Sequence, residues 1–406
     1  MSESAANAEV NGRRGRVGQL LGLALGHALN DGYVNFIAPL WPQIRERFAL
    51  SMTDIGAITF WWGLTTNFGQ PIFGYLTDRW RPRQLVVVAT LISTFFFSFI
   101  GYMQTLPGFI AFLVLGGMGV ALYHPRGGAL AVAVSGSRRA LGMGVFGAGG
   151  AIGYALGYLG SPYLHNLTGD MKGLAYAAPV GLIGAVVLFI INAEGRIAAQ
   201  KAAFSFRKHM APYVGRVLPL MVVMVLRSAA VVAFGNFIPL MLDAQGWDLT
   251  KGGHAGFYFI SGGAIGGLIG GHISDRLGRR GITIFTLLIS PPFLYYALKA
   301  AALPSLGWFY VLLFAAGFVM RGAEPTNITH TQEMLPQGAS LAASLGMGGA
   351  WGFAGLVAPI VGRVSDSFGV AYALSWVVWV PVAAAVAAIF IPRGDTHRGP
   401  GASPQV

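Results

Sequence analysis

The 406-residue chain contains no cysteine, which excludes disulfides and thiolate metal centres. Charge is scarce as well: 10% of the residues are Asp, Glu, Lys or Arg, against roughly 25% in soluble domains. A water-soluble fold of this length could not cover its surface with so few charges. The chain has no Gly-x-x-x-x-Gly-Lys-Ser/Thr phosphate loop, so ATP drive has no visible basis. No nucleophile–base spacing stands out, and no loop between apolar runs is long enough for a separate enzyme domain. The expectation is a protein that is not an enzyme and that takes no cofactor and no resident metal.

What the chain does contain is apolar. Hydrophobic residues make up 54% of it. Runs of about 20 apolar residues, the length a bilayer-spanning helix needs, recur from end to end. Glycine is frequent, at 59 residues, and small residues let helices approach closely in lipid. The net charge of +12 raises the question of a nucleic-acid partner, and its distribution answers it. Most of the 27 Lys and Arg residues fall in loops on one side of the apolar runs, which is the positive-inside bias of a membrane protein. No basic patch interleaved with aromatics is present, so no nucleic-acid partner is expected.

Twelve spans are expected, at about 17–42, 53–77, 84–103, 107–134, 139–163, 173–193, 215–242, 252–275, 281–300, 305–330, 338–362 and 369–391. The polar start ends in Arg13, Arg14 and Arg16, like a signal peptide, but the apolar run behind it is too long and is interrupted by His27, Asn30 and Asp31, so no cleavage is expected. The implied organisation is a tail at 1–16, a six-helix bundle at 17–193, a linker at 194–214, a second bundle at 215–391 and a tail at 392–406, with both termini cytoplasmic.

The second bundle repeats the first. Asn35-Phe-Ile-Ala-Pro39-Leu40 returns as Asn236-Phe-Ile-Pro239-Leu240, Pro125 as Pro325, and Gly150-Ala-Ile-Gly153 as Gly349-Ala-Trp-Gly352. A charged hinge recurs in the same register: Gly74-Tyr-Leu-Thr-Asp78-Arg79-Trp-Arg81-Pro-Arg83, then Gly271-His-Ile-Ser-Asp275-Arg276-Leu-Gly-Arg279-Arg280. Two bundles of like orientation are parallel repeats, a design that places a substrate site near the membrane midplane at their interface.

The paired hinge with twelve spans resembles the major facilitator superfamily of secondary transporters. The second copy fits that family's Gly-x-x-x-Asp-Arg-x-Gly-Arg-Arg/Lys loop, while the first departs from it at Arg81-Pro82-Arg83. The resemblance implies a cytoplasmic gate latch on Gly74, Asp78, Arg79, Gly271, Asp275, Arg276 and Arg279. His27-Ala-Leu-Asn30-Asp31-Gly-Tyr33, Gly119-Val-Ala-Leu-Tyr123-His124-Pro125 and Phe146-Gly-Ala-Gly149-Gly150 further resemble the fosmidomycin-resistance branch, whose members are similar to proton-driven exporters of small molecules, anionic phosphonates among them. Span four has no early arginine, and span five reads Leu156-Gly157-Tyr158 where drug antiporters usually carry Gly-Pro.

Ionisable groups inside a bilayer are costly and mark function. In span one, His27, Asn30, Asp31 and Asn35 are expected on one helix face. In span four, Tyr123, His124 and Arg126 surround Pro125, where a helix break is expected to expose a carbonyl. Arg126 either faces the cavity or reaches the cytoplasmic interface. Span seven offers Arg227 and Asn236, and span ten offers Arg321 and Glu324, which are three residues apart and able to pair. Such a pair leaves Arg227 as a surplus cation suited to a carboxylate or phosphonate. Asp31 and Glu324 are the proton-coupling candidates. Gly149, Gly153 and Gly157 recur every fourth residue and are expected at the moving seam between bundles. The reading is a monomeric, proton-coupled organic-anion transporter of the bacterial inner membrane, whose partners are a small molecule, protons and membrane lipid. Efflux of bulkier drugs, with aromatics such as Trp61, Trp62, Tyr154, Trp351 and Phe353 lining the path, is one alternative. Metal or metal-chelate transport through His27, Asp31 and His124 is another.

Overall fold

The computed structural model describes residues 3–80, 84–136, 138–191, 214–334 and 345–392. Residues 194–213 and 393–406, in the expected linker and tail, lie outside the described residues, as do the side chains of Asp78, Arg79, Asp275 and Arg276. Among the described residues every regular element is helical.

The first bundle comprises α1 (Glu3–Val34), α2 (Met52–Trp80), α3 (Leu85–Phe99), α4 (Leu106–Val134), α5 (Arg139–Asn166) and α6 (Ala178–Ile191). The second comprises α7 (Val214–Ala244), α8 (Leu249–Leu277), α9 (Arg279–Ala300), α10 (Gly307–Arg321, resuming as Glu324–Met334), α11 (Ala350–Ala354, resuming as Val357–Phe368) and α12 (Val370–Val377, resuming as Val380–Ala388). Helix α1 begins inside the expected tail and ends at Val34, short of the expected 42. Pro39 and Pro42 each lack an amide hydrogen, and the chain passes through a 3₁₀ turn into a separate short helix, Trp41–Phe48.

The neighbours of each helix repeat between bundles. Helix α1 packs on α5 as α7 packs on α11, α2 on α4 as α8 on α10, and α3 on α4 as α9 on α10. Six helical segments, those of α3, α4, α6, α7, α9 and α12, are apolar and long enough to cross a membrane by composition alone. Of the others, α10 and α11 are each interrupted into shorter segments, and α2, α5, α8 and α11 form the seams between bundles.

The bundles touch along two seams, α2 with α11 and α5 with α8, chiefly at the end away from the hinges. There Gly56 faces the backbone of Ala358 so closely that a Cβ would collide with it, and Gly362 faces Met52 in the same way. On the other seam, Tyr158 of α5 lies against Gly253 and Gly256 of α8, and the Tyr163 hydroxyl is 3.0 Å from His254 Nε2. Trp41, fully buried, donates from Nε1 to Asn236 Oδ1 at 2.9 Å across the bundles. One continuous apolar core joins both bundles at this far end, including Phe36, Ile37 and Leu40 with their repeat partners Phe237, Ile238 and Leu240. At the hinge end two separate cores replace it, one around Leu23, Tyr123 and Phe146, the other around Leu220, Met224 and Leu287. Gly144 and Gly147 on α5 and Gly271 on α8 face open space there among the described residues. Among the described residues, the bundles are therefore closed at the far end and parted at the hinge end.

The expected glycine ladder has a different place. Gly149, Gly153 and Gly157 seat α5 against the backbone of α1 at Ala24, Ala28 and Gly32, inside the first bundle and not on the seam. The reason is that α1 approaches α5 more closely than any side chain would permit.

Asp366, near the end of α11, fastens the far end. Its carboxylate accepts from Met52 N at 2.8 Å, Thr53 N at 2.9 Å and Thr53 Oγ1 at 2.6 Å, which caps α2 from the other bundle. A carboxylate at a helix N-terminus satisfies free amides and suits the dipole. Loss of such a cap costs about 1 kcal/mol, a factor of about five in a two-state equilibrium. Asp366→Asn is expected to lengthen or broaden the distance between spin labels on cysteines placed at Gln104 and Ser367, an experiment that the lack of native cysteine makes clean. An unchanged distribution would count against a fastening role.

Candidate functional site

Two ionic clusters stand in equivalent places of the two repeats. Pro125 of α4 matches Pro325 of α10, so the residues before them, His124 and Glu324, occupy the same repeat position. Each faces the first helix of its own bundle, α1 or α7.

In the first bundle, His27, Asp31 and His124 converge. His27 Nε2 lies 3.3 Å from Asp31 Oδ2, His124 Nε2 lies 3.2 Å from Asp31 Oδ1, and the two Nε2 atoms are 3.2 Å apart. The other ring nitrogens are committed: His27 Nδ1 donates to the Phe146 carbonyl at 2.7 Å and His124 Nδ1 to the Val120 carbonyl at 2.8 Å. A carbonyl can only accept, so both Nδ1 atoms carry hydrogen and both Nε2 atoms are the groups turned on Asp31. Phe146 stacks on His27 with ring centroids 4.1 Å apart. Gly150 of α5 leaves the space open, since a Cβ there would come within 2.5 Å of His27 and 2.8 Å of Asp31.

In the second bundle, Arg227 Nη1 lies 2.9 Å and Arg321 Nε 2.8 Å from the same oxygen, Glu324 Oε2. Arg227 is 2% exposed, a depth at which an uncompensated guanidinium would be prohibitive. Helix α10 stops at Arg321 and restarts at Glu324, so the carboxylate sits in the first turn of the resumed segment, where the dipole favours it. The expected three-apart pair of Arg321 and Glu324 is present, but Arg227 is not a free cation: it shares that carboxylate. Two guanidiniums on one carboxylate still leave one positive charge in excess. Among the described residues, Arg227 Nε and Arg321 Nη1 are buried without an acceptor.

The remaining predicted residues divide. Asn30 does not share the face of His27 and Asp31. It is fully buried against α3, donating to Gly26 O at 2.8 Å and Thr90 Oγ1 at 2.9 Å and accepting from Ser93 Oγ at 2.6 Å, so both its amide hydrogens are committed inside the bundle. Asn35 donates back to the Asp31 carbonyl at 2.7 Å, and Asn236 is occupied by Trp41 and the Val232 carbonyl. The Tyr123 hydroxyl donates to Leu23 O at 2.5 Å from a fully buried ring, which makes it a strut between α4 and α1. Helix α4 runs unbroken through Pro125; the break falls at the matching position of α10 instead. Arg126 is half-buried one residue beyond that proline, whose ring lies against Gly74. Arg279 pairs with Glu333 at 2.5 Å within the second bundle.

Sequence reasoning missed Tyr158. Its ring stacks on Tyr154 with centroids 5.6 Å apart and fills the α8 glycine seat of the other bundle. Tyr154 lies within electrostatic reach of Asp31 on one side and of Arg321 and Glu324 on the other. Tyr154 is thus near both clusters, and Tyr158 joins it to the seam between bundles. Their four-residue spacing beside Gly157 was visible, but nothing local distinguishes a bridging tyrosine from a packing one.

The sequence pattern of the Major Facilitator Superfamily matches residues 23–359. The fosmidomycin resistance protein of Escherichia coli (strain K12) is 26% identical over 89% of this chain and 90% of its own. An uncharacterized transporter of the same superfamily from Bacillus subtilis (strain 168), YfnC, is 24% identical over 93% and 94%. Among solved structures, the chain superposes on a bacterial homologue of the human lysosomal transporter Spinster, in its inward-facing and occupied conformation, with TM-score 0.72, 16% identity and coverage of 92% and 96%. The nucleoside transporter NupG gives TM-score 0.74 at 13% identity, covering 93% and 99%. With the duplicated six-helix bundles, the parted hinge end and a match over most of its length, the chain belongs to the Major Facilitator Superfamily of membrane transporters.

Proposed function

We propose that the protein carries a small organic anion, a carboxylate or phosphonate, across the bacterial inner membrane by alternating access driven by protons. The single observation that carries this reading is the shared carboxylate: two buried arginines hold one Glu324 oxygen and keep unused donors beside it. An arriving anion competes with Glu324 for both guanidiniums and takes the bonds that the carboxylate leaves unmade. The coupling proton belongs to the opposite cluster, among Asp31 and the facing Nε2 atoms of His27 and His124. Tyr154, which lies within electrostatic reach of both clusters, is the residue through which we place their communication. The hinge end, with the basic loops, is the cytoplasmic end, and the parted bundles correspond to an inward-open state. The relative named for fosmidomycin resistance supports export as the direction.

Two outcomes are expected in proteoliposomes. Arg321→Lys keeps the charge but loses the planar fork, and is expected to weaken anion affinity by about tenfold or more in counterflow, with Arg227→Lys behaving alike. Unchanged affinity in both would refute the anion site. Asp31→Asn is expected to abolish accumulation driven by an imposed pH gradient while exchange of labelled for unlabelled substrate continues. Continued gradient-driven accumulation would remove Asp31 from the coupling site.

A further inference from the structure

We propose that the His27–Asp31–His124 cluster is a binding site for a single divalent transition-metal ion of the Zn²⁺ class. Two imidazoles and a carboxylate are a nitrogen–oxygen donor set that suits Zn²⁺ and its neighbours, with no need of the thiolates that this chain lacks. The spacing is compatible with such an ion. Tetrahedral zinc with bonds of about 2.0 Å separates its ligand atoms by about 3.3 Å. The two Nε2 atoms are 3.2 Å apart, which matches one such edge, and each faces its own oxygen of Asp31 at 3.2 or 3.3 Å. With one donor atom taken from each residue, all three lie within 4.8 Å of one another, so a small turn of the carboxylate gathers them on one ion.

Three further observations point the same way. Both Nδ1–H groups are tied to backbone carbonyls, the outer-shell pattern that fixes the tautomer and turns Nε2 lone pairs onto a metal. Two such lone pairs facing each other and a carboxylate repel unless a cation lies among them, and a proton or a metal ion can fill that role. Glycine at position 150 keeps the space beside these atoms clear of side chain. The Asp31 and His124 side chains retain 17% and 13% exposure, which leaves a fourth position open to water or to an anionic oxygen of a substrate.

The ligands must be deprotonated to bind metal, so metal and coupling proton compete for the same atoms and affinity falls as pH falls. The metal site does not depend on the anion reading, because equilibrium binding is measured with no substrate and no gradient.

The test uses full-length, tag-free protein in lipid nanodiscs, titrated with Co²⁺ at pH 7.5 and then with Zn²⁺. One Co²⁺ per chain is expected, with the visible absorption of a four-coordinate nitrogen–oxygen site that Zn²⁺ abolishes. His124→Gln and Asp31→Asn are expected to weaken Co²⁺ binding at least tenfold, and the exposed His272→Gln to leave it intact. Gly150→Ala, which keeps all three ligands, is expected to reduce affinity by crowding the ion. Absence of stoichiometric Co²⁺ on the wild-type protein overturns the proposal whatever the variants do. So does equal binding by wild type and a His124→Gln protein with the same melting temperature.

Discussion

Every arrangement in this molecule answers to one constraint: a charge held in the hydrocarbon must be compensated by the protein itself. Glu324 is where the constraint is tightest. Without it, Arg227 and Arg321 would be two like charges buried side by side, and removing one partner of a buried ionic group typically costs about 3–5 kcal/mol. With it, the cluster is stable yet one negative charge short. A site that is held together but not neutral is suited to a passing anion, because the anion completes the charge balance only while it is bound.

The repeat turns that constraint into a device. His124 and Glu324 occupy equivalent positions, each beside the first helix of its bundle, but one cluster is built on imidazoles and the other on guanidiniums. Arginine stays charged at any physiological pH, whereas histidine changes charge near neutrality. Duplication followed by divergence thus leaves a histidine cluster in one bundle and an arginine cluster in the other, with Tyr154 near both. The far-end core and the Asp366 cap hold the bundles together at one end, while among the described residues Gly144, Gly147 and Gly271 face open space at the other.

The sequence made the architecture legible because hydropathy and repeat register are local properties. Spans three, four, seven and nine fall within a few residues of expectation. The breaks in α10 and α11 were not legible, since Pro125 and Pro325 look alike in sequence and only their surroundings decide which helix parts. The ionic residues could be named from their cost in lipid, but their partners could not. Asn30 read as a site residue because its bonds go to Thr90 and Ser93, about sixty positions away. Arg227 read as an unpaired cation because Glu324 lies on another helix. Trp41 and Tyr158 were passed over because an aromatic in a membrane helix is most often packing, and only the assembled seam shows them crossing it.

If the two clusters sit between bundles that rock, closing the hinge end opens the far end. The direct measurement is the distance between spin labels on cysteines placed at Gly144 and Gly271, in nanodiscs, while pH and a small phosphonate are varied. A long and a short population are expected, exchanging weight as the clusters change occupancy. A single distance that holds under every condition, in protein that still catalyses counterflow, would contradict it.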